Sequence, residues 1–504
     1  MATRINRSEI FWELTRSLCP ECRRVIDAQI LFRENRVIMR KRCPDHGWFE
    51  ALVFGDAKLY VDIAPYNKPG TLPLRFQTEV RDGCPHDCGL CPEHKQHACL
   101  GLIEVNSACN LDCPLCFANS GTHLARDGFE LDAGQVNFML DSFVAAEGSP
   151  EVVQFSGGEP TLHALLPEFV ALAQDHGIRH VMINTNGLKL AHDDRLLTRL
   201  ASLKPTVYLQ FDGFDPATNL ALRGREDLVE TKLRTLDRLA EADVRAVLVA
   251  AVESGVNDHE VGRIIEFGLR HPAVFGVNFQ PAFRAQRHVS MDPMTRMTIP
   301  DLLDALERQT NGQFRRSDFV PVPCCMPTCN FVTYALLDGD SVTPITRLVD
   351  VQGHLDYLKN RTLASFDATL LATLERLWSS SAAVGSEVAA RDVHRTIGAS
   401  ASRCAACQAG LPLSGHGSTD LARHVFMVNT RDFMDPWTFN VKNVMKCCVE
   451  FLIPDGRMIP FCAYNSAGYR EQVTASLHSA ARMTRGVAIR RETRSGSSRK
   501  VKFS

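Results

Sequence analysis

The sequence predicts an α/β fold, a partial barrel of six β/α units set between two cysteine-rich flanks. Three observations predict it. Apolar runs of strand length alternate with helical periodicity six times between residues 101 and 309. Of the 18 cysteines, 15 crowd the two sides of that region and three follow its first strand, after which about two hundred consecutive residues carry none. The chain of 504 residues is 45% hydrophobic and 23% charged, the balance of an ordinary globular protein, and is long enough to bury its core without covalent staples.

The elements follow in order. GLIEVNSA (101–108) is the first strand and Gln135 to Ala146 the first helix. EVVQFSGG (151–158) is a buried strand ending in glycines, followed by helical periodicity from His163 to Asp175. RHVMINTNG (179–187) is strand then turn, and Asp193 to Leu203 a helix. TVYLQFDG (206–213) pairs with a helix from Leu228 to Ala242, and VRAVLVAAV (244–252) with one from Asp258 to Leu269. AVFGVNFQP (273–281) is the last strand, and the helix Ile299 to Gln309 carries Pro300 near its first turn. Such alternation implies parallel strands with right-handed crossovers, either as a partial barrel or as a doubly wound open sheet. In both, ligands bind at the carboxyl ends of the strands. The turns at those ends (NSACNLDC, SGGEP, NTNG, DGFD, ESGV, QPAF) are rich in Gly, Asn and acids, as site-forming loops are.

The net charge of −2 gives no global field for nucleic acid. The first twenty residues lack the apolar centre of a signal peptide, and no apolar run is long enough for a spanning helix. A cytoplasmic protein is expected, where thiols stay reduced and clustered cysteines point to metal or redox chemistry. The expected organisation is a metal-binding module at 1–60, an auxiliary iron–sulfur segment at 61–100, the barrel at 101–312, a cysteine-rich auxiliary cluster domain at 313–480 and a basic disordered tail at 481–504. The stretch 378–401 is small and polar, a loose connection. The tail carries eight Lys/Arg from Arg482 to Lys502 and reads as solvated, with a weak anionic-membrane or RNA contact as the alternative.

Cys109-Asn-Leu-Asp-Cys113-Pro-Leu-Cys116 directly follows the first strand. Three thiolates on one loop hold three corners of a [4Fe–4S] cluster and leave one iron open to a small molecule; a three-cysteine zinc site is the bland alternative. The same spacing recurs in Cys84-Pro-His-Asp-Cys88-Gly-Leu-Cys91, outside the β/α series, which reads as an auxiliary cluster completed by a distant cysteine, or as a zinc knuckle. Cys19-Pro-Glu-Cys22, with Cys43 in Cys43-Pro-Asp-His46, resembles a rubredoxin-like or zinc-ribbon knuckle for iron or zinc, with a hairpin at Glu34-Asn35 between its halves. Its fourth ligand stays open, His46 being near but equally readable as a surface histidine. Cys325, Cys329, Cys404, Cys407, Cys448 and Cys462 supply further ligands, for one or two auxiliary clusters in all.

The pairing of C-x3-C-x2-C after strand one with Gly157-Gly158-Glu159-Pro160 after strand two resembles the radical S-adenosylmethionine (SAM) superfamily. The resemblance implies a six-unit partial barrel over roughly residues 100–310, a [4Fe–4S] cluster on Cys109, Cys113 and Cys116, SAM on its open iron, and a 5′-deoxyadenosyl radical that abstracts hydrogen from unactivated C–H bonds. On that reading Gly157 and Gly158 let backbone approach the SAM ammonium and Glu159 accepts from it. The other strand ends place Asn184, Thr185, Asn186, Gln210, Asp212, Glu253 and Gln280 on the same rim.

Further strings are CPECRR with CPDHG, PYNKPG (65–70), GCPHDCGLCPEHKQHAC (83–99), VPCCMPTC (322–329) and CCVEFLIPDGRMIPFCAYNSAGYR (447–470). Together they resemble the tetraether lipid synthase family and its bacterial relatives, over about residues 15–470. That resemblance implies two auxiliary [4Fe–4S] clusters, a rubredoxin-like iron and C–C coupling of lipid chains, with possible peripheral membrane contact. An electron donor such as ferredoxin or flavodoxin is the expected partner. Two other classes are weighed: a peptide- or cofactor-maturing radical SAM protein, and a metal-stapled RNA-binding module, which the near-neutral charge disfavours.

Overall fold

The computed structural model describes residues 8–288, 291–322, 325–347 and 425–481. Cys324, the connection at 378–401, Cys404, Cys407 and residues 482–504 of the basic tail lie outside them.

Strands β1 (Ile10–Leu18), β2 (Val25–Arg33), β3 (Arg36–Cys43) and β4 (Gly47–Phe54) form an antiparallel sheet in chain order. The β2–β3 hairpin turns at Glu34 and Asn35, both left-handed with φ of 49° and 57°, which matches the twist of the flanking strands. Lys41 of β3 is buried, and its ammonium donates to Ser17 Oγ (2.9 Å) and to the carbonyls of Pro436 (2.7 Å) and Trp437 (2.8 Å). A buried cation with three acceptors seats this sheet on the C-terminal segment. The short helix α1 (Ala57–Asp62) follows, capped by Asp56.

The second sheet holds the six predicted strands: β5 (Leu100–Glu104), β6 (Val152–Ser156), β7 (His180–Thr185), β8 (Thr206–Gln210), β9 (Ala246–Val252) and β10 (Val274–Pro281). Each pairs parallel with the next. Helices α2 (Ala133–Glu147), α3 (Leu166–Asp175) and α4 (Asp194–Leu203) follow the first three strands; α5 (Pro216–Arg223) and α6 (Leu228–Glu241) both follow β8; α7 (Val261–Arg270) and α8 (Ile299–Gln309) follow β9 and β10. Helix starts are fixed by side chains. Asp132 accepts from the Gln135 amide (2.8 Å) while the Gln135 side chain accepts from the Asp132 amide (3.0 Å). Helix α5 is absent from the expected elements. Its signals are local, Pro216 in the first turn and a left-handed Gly224 just past the end.

The residues after the barrel extend the same sheet at both edges. Beyond β10, β14 (Val425–Arg431) pairs parallel with it, and β12 (Asn330–Asp338) runs antiparallel between β14 and the short β11 (Val320–Pro321), with β13 (Ser341–Pro344) also on β12. At the other edge β15 (Val449–Leu452) pairs parallel with β5, and β16 (Met458–Pro460) antiparallel with β15. The outer face of the sheet packs on the helices through buried Val153, Phe155, Ile183, Leu209, Leu248 and Val277, and the inner face closes around a cavity. Among the described residues no helix is long and apolar enough to cross a membrane.

Candidate active site

The loop after β5 is built against the loop after β6. The amides of Gly158 and Glu159 donate to the carbonyls of Asn106 and Ala108 (both 2.8 Å), and the Asn106 amide group donates back to the Glu159 carbonyl (2.9 Å). A Cβ on Gly158 would stand 2.0 Å from the Ala108 carbonyl oxygen, and Gly157 has a φ of 136°. The two glycines therefore admit the neighbouring polypeptide itself, a requirement in addition to the predicted approach of a ligand. The cysteine loop that follows is pinned by Asp112, which accepts from the Thr122 amide (2.9 Å) and hydroxyl (2.6 Å), and by Arg287, which donates to the Cys113 carbonyl (3.3 Å) and to Asn119 Oδ1 (2.9 Å).

Cys109, Cys113 and Cys116 are half-buried and face one cavity. Of the predicted rim, Gly157, Gly158, Glu159, Asn184, Thr185, Asn186, Gln210 and Gln280 line it with them. Pro160 stands behind, buried in the first turn of a 3-10 helix (Pro160–Leu162). Glu159 is 1% exposed, and its carboxylate accepts from the Thr161 amide (3.0 Å) and hydroxyl (2.6 Å), the Thr185 hydroxyl (2.6 Å) and the Asn186 amide (2.8 Å). One carboxylate thus ties the ends of β6 and β7 together. Asn186 in turn donates to Asn110 Oδ1 (2.7 Å) in the cysteine loop.

Two predicted residues stand elsewhere. Asp212 is fully buried behind the cavity wall. It accepts from Arg223 Nε and Nη2 (both 2.7 Å), from the Ala251 amide (3.0 Å) and from Gln210. Glu253 has its carboxylate 3.6 Å from His288 Nε2, and the cavity wall at β9 is made by Val249 and Ala251 instead. A position at a strand end fixes nearness to the rim but not which way the side chain leaves the backbone. Arg223, at the end of α5, is the functional residue missed. It lines the cavity, held bidentate by Asp212.

The electrostatics distinguish Cys109 from Cys113. Burial, with the charge of Glu159 next, pushes the Cys109 thiol up to about 12. Burial also raises Cys113, while the Arg223 guanidinium beside it pulls the other way. Thiols held this high exist as thiolates only when a metal displaces the proton, so metal binding here releases protons.

A second cavity, the barrel interior, shares Phe117, Ser156, Asn184, Val249, Gln280 and Phe283 with the first. Its wall carries amides (Gln154, Asn184, Asn278, Gln280, Asn330, Asn429), Tyr208, Tyr334 and Arg431 among phenylalanines and aliphatic side chains.

Three further cysteine groups surround this core. Cys19, Cys22, Cys43 and His46 place their ligand atoms within 4.8 Å of one another, with His46 Nδ1 3.6 Å from Cys19 and 3.4 Å from Cys43. Three sulfurs and one imidazole nitrogen at this spacing suit a single tetrahedral ion, and the fold brings His46 to the position left open in the sequence. Cys84, Cys88 and Cys91 are buried and share a small cavity. Cys325, Cys329, Cys447 and Cys462 form the third group. Cys329 is pushed well above the ordinary thiol value, first by its hydrogen bond with Cys325, then by burial and by the charges of Cys325, Cys462 and Cys447. Cys447 is thus the cysteine of the adjacent pair that meets this group. Its neighbour Cys448 is buried and accepts through its carbonyl from the amides of Cys99 (2.8 Å) and Leu100 (3.1 Å).

The chain is similar to known proteins along its length. The family model of the Radical SAM superfamily matches residues 103–268, and that of the HMPTM N-terminal zinc ribbon domain matches residues 11–55. A 7,8-dihydro-6-hydroxymethylpterin dimethyltransferase of Methanocaldococcus jannaschii is 34% identical over 491 residues, covering 91% of this chain and 94% of that protein. A GTP 3′,8-cyclase of Chlorobaculum tepidum is 31% identical over 172 residues, 34% of this chain and 49% of the relative. A sporulation killing factor maturation protein of Bacillus subtilis is 30% identical over 165 residues, 32% of this chain and 38% of the relative. These relatives support the expected SAM and [4Fe–4S] cofactors, auxiliary clusters and an N-terminal zinc or iron site, and do not support the expectation of lipid coupling. The chain belongs to the radical SAM superfamily and, within it, to the family represented by the archaeal pterin dimethyltransferase.

Proposed function

We propose that this radical SAM enzyme acts on a ring substrate of the dihydropterin type held inside the barrel, that one SAM, reduced by one electron, removes a hydrogen from an unactivated position of that ring and leaves as methionine and 5′-deoxyadenosine, and that a methyl group from a second SAM, which takes the second electron and leaves as S-adenosylhomocysteine, replaces it. The observation that carries the reading is the amide-lined interior, continuous with the cysteine cavity through Asn184 and Gln280. Amide side chains both donate and accept, and so match the alternating donors and acceptors along a pterin edge. Asn278 and Asn429 already pair (3.0 Å), whereas the buried Asn330 Oδ1 has no partner and is free to accept a ring N–H. The 34% identical relative is named for methyl transfer to such a ring.

Cys109, Cys113 and Cys116 hold the [4Fe–4S] cluster on this reading, and the cluster with SAM supplies the one-electron cleavage that gives the 5′-deoxyadenosyl radical. The chain's own residues position and shield. The backbone at Gly157 and Gly158 and the side chains of Asn184 and Gln280 line the cavity beside the three cysteines and would hold SAM there. Arg223, oriented by Asp212, would supply a fixed cation for its carboxylate. Phe117 and Phe283 stand where the two cavities join and keep water from the radical. A ferredoxin or flavodoxin supplies the electron.

A second reading keeps a lipid chain as substrate. It is favoured by the aromatic wall, in which Phe433 and Phe461 stack at 4.2 Å and Phe283 and Phe451 lie against Phe461. One experiment separates the two. The protein is purified without oxygen, reconstituted with iron and sulfide, and given SAM and dithionite with either 7,8-dihydro-6-hydroxymethylpterin or phospholipid vesicles. Faster 5′-deoxyadenosine release with the pterin, and a pterin heavier by methyl groups, is the expected result. Stimulation by lipid alone moves the assignment to the second reading, and no 5′-deoxyadenosine from a fully loaded protein overturns both.

A further inference from the structure

Lys232, on α6, is buried as completely as Lys41, yet the two ammonium groups are served differently. Lys41 donates to three oxygens and so joins two parts of the chain. Among the described residues Lys232 donates to one, Gln210 Oε1 at 3.0 Å, and forms no ion pair. A buried ammonium with a single neutral acceptor is a costly way to hold a helix on a sheet. An apolar side chain of similar volume does that at no such cost. Burial pushes Lys232 down to about 8, with Asp212 pulling the other way, so it remains a cation at neutral pH.

Gln210 links that charge to the cysteine cavity. It lines the cavity at the end of β8, accepts from Lys232 through Oε1 and donates through Nε2 to Asp212. Asp212 is also held bidentate by Arg223, which lines the same cavity. One buried carboxylate thus stands between two cations. Arg223 and Asp212 alone are neutral as a pair, and offer a ligand directed N–H groups with little net charge. With Lys232 counted, this wall is net positive among the described residues. The wall at β6 and β7 has the reverse sign. There the buried Glu159 carboxylate is met by the hydroxyls and amides of Thr161, Thr185 and Asn186. Opposite charges on two walls of one cavity fit a zwitterion, its ammonium toward Glu159 and its carboxylate toward Arg223.

We propose that Lys232 is a positioning residue for SAM: through Gln210 and Asp212 it gives the β8 wall the net positive charge that holds the SAM carboxylate against Arg223. The proposal rests on the reading that SAM occupies the cysteine cavity. It gives a buried, sparsely bonded cation a use that the stability of the fold does not.

The test compares the parent with Lys232→Met, which removes the charge at similar length, and Lys232→Arg, which keeps it. Each full chain is reconstituted with iron and sulfide. Binding of SAM, and of decarboxylated SAM, which lacks the carboxylate, is then measured by equilibrium dialysis without reductant. Lys232→Met should bind SAM about tenfold more weakly than the parent, and decarboxylated SAM as the parent does. Lys232→Arg should hold SAM more tightly than Lys232→Met. Iron content should be the same in all three. The urea midpoint of the Lys232→Met apoprotein should stand at or above the parent's, because a buried charge has been removed. Lys232→Gln, neutral and able to hydrogen-bond Gln210, carries the same comparison if Lys232→Met folds poorly. Unchanged SAM affinity in the neutral variants overturns the proposal, as does equal weakening of both ligands. A lowered urea midpoint in both neutral variants also overturns it, by making Lys232 a strut of the fold. The underlying reading is checked in proteins that keep Lys232. A loaded parent that binds no SAM, or one that binds it equally well after Cys109, Cys113 and Cys116 are replaced by alanine, removes SAM from the cysteine cavity, whatever Lys232 does.

Discussion

Cys84–Cys91 and Cys109–Cys116 carry the same C-x3-C-x2-C spacing twenty-five residues apart, and the fold gives them opposite surroundings. The first is sealed. Its cysteines are 6–7% exposed, and Asp87 between them accepts from the amides of Arg81 (2.7 Å), Asp82 (2.8 Å) and Gly83 (2.7 Å). Tyr469, from the far end of the chain, accepts from the Cys88 amide (3.1 Å) and reaches the Pro85 carbonyl (2.7 Å). The second is open. Its cysteines face a cavity rimmed by strand ends, and its loop is held by Asp112 within it and by Asn186 and Arg287 from neighbouring segments. Spacing alone sets how many corners of a cluster a loop can hold. Whether the remaining iron meets solvent, SAM or another side chain is decided by what the rest of the chain packs against it.

The contrast breaks most sharply at the cysteines. Cys113→Ala should reduce 5′-deoxyadenosine formation to background, whereas Cys88→Ala, reduced directly by dithionite, should still cleave SAM while making no product. The reverse pattern in a chromatographic assay would exchange the roles of the two motifs. Next in size is Arg223→Ala, which leaves Asp212 charged and buried without its bidentate partner. A loss of about 3–5 kcal/mol is expected in denaturant unfolding of the apoprotein, together with weaker SAM binding. Arg223→Ala that unfolds like wild type would show that Asp212 needs no partner.

Glu159→Gln sharpens the open side further. The substitution turns one of two accepting oxygens into a donor facing the hydroxyls and amides of Thr161, Thr185 and Asn186. A loss of about 1–3 kcal/mol is expected, with SAM affinity falling and iron content unchanged. The smallest effect belongs to the sealed side. Tyr469→Phe removes one hydroxyl that bridges the Cys84–Cys91 loop, for about 1 kcal/mol by thermal unfolding, and should leave the initial rate of 5′-deoxyadenosine formation untouched. A rate loss there would couple the auxiliary loop to SAM cleavage.

Much of this was legible in the residues. The six strands and their helices appear where continuous apolar runs and period-3.6 patterns place them, because each pattern is local and the barrel only collects it. Helix α5 escaped because its eight residues make barely two turns, too few for a 3.6-residue period to repeat, although Pro216 and Gly224 mark its ends. With it went Arg223, since an arginine at a helix end reads as solvated until a buried Asp212 is found behind it. Glu253 and Asp212 were placed on the rim by position alone, and their side chains turn to His288 and to Arg223 instead. The sequence reading names Cys448 as a ligand, whereas the fold brings its neighbour Cys447 to Cys325, Cys329 and Cys462, a choice that nothing in the adjacent pair itself makes.

The sequence by itself determined the radical SAM barrel, the C-x3-C-x2-C loop with its Gly157-Gly158-Glu159 partner, and the metal knuckle of Cys19, Cys22 and Cys43. These rest on short-range spacing, which a chain carries with it into any fold. Only the tertiary structure decided that His46 meets Cys19, Cys22 and Cys43, that Cys447 joins Cys325, Cys329 and Cys462, and that Arg223 faces the cysteine cavity. Each of those depends on two segments meeting across tens to hundreds of residues, or on the direction in which one side chain leaves its strand. Burial then makes the outcome matter, because a charge or thiol removed from water must find its partner in whatever the fold brings to it.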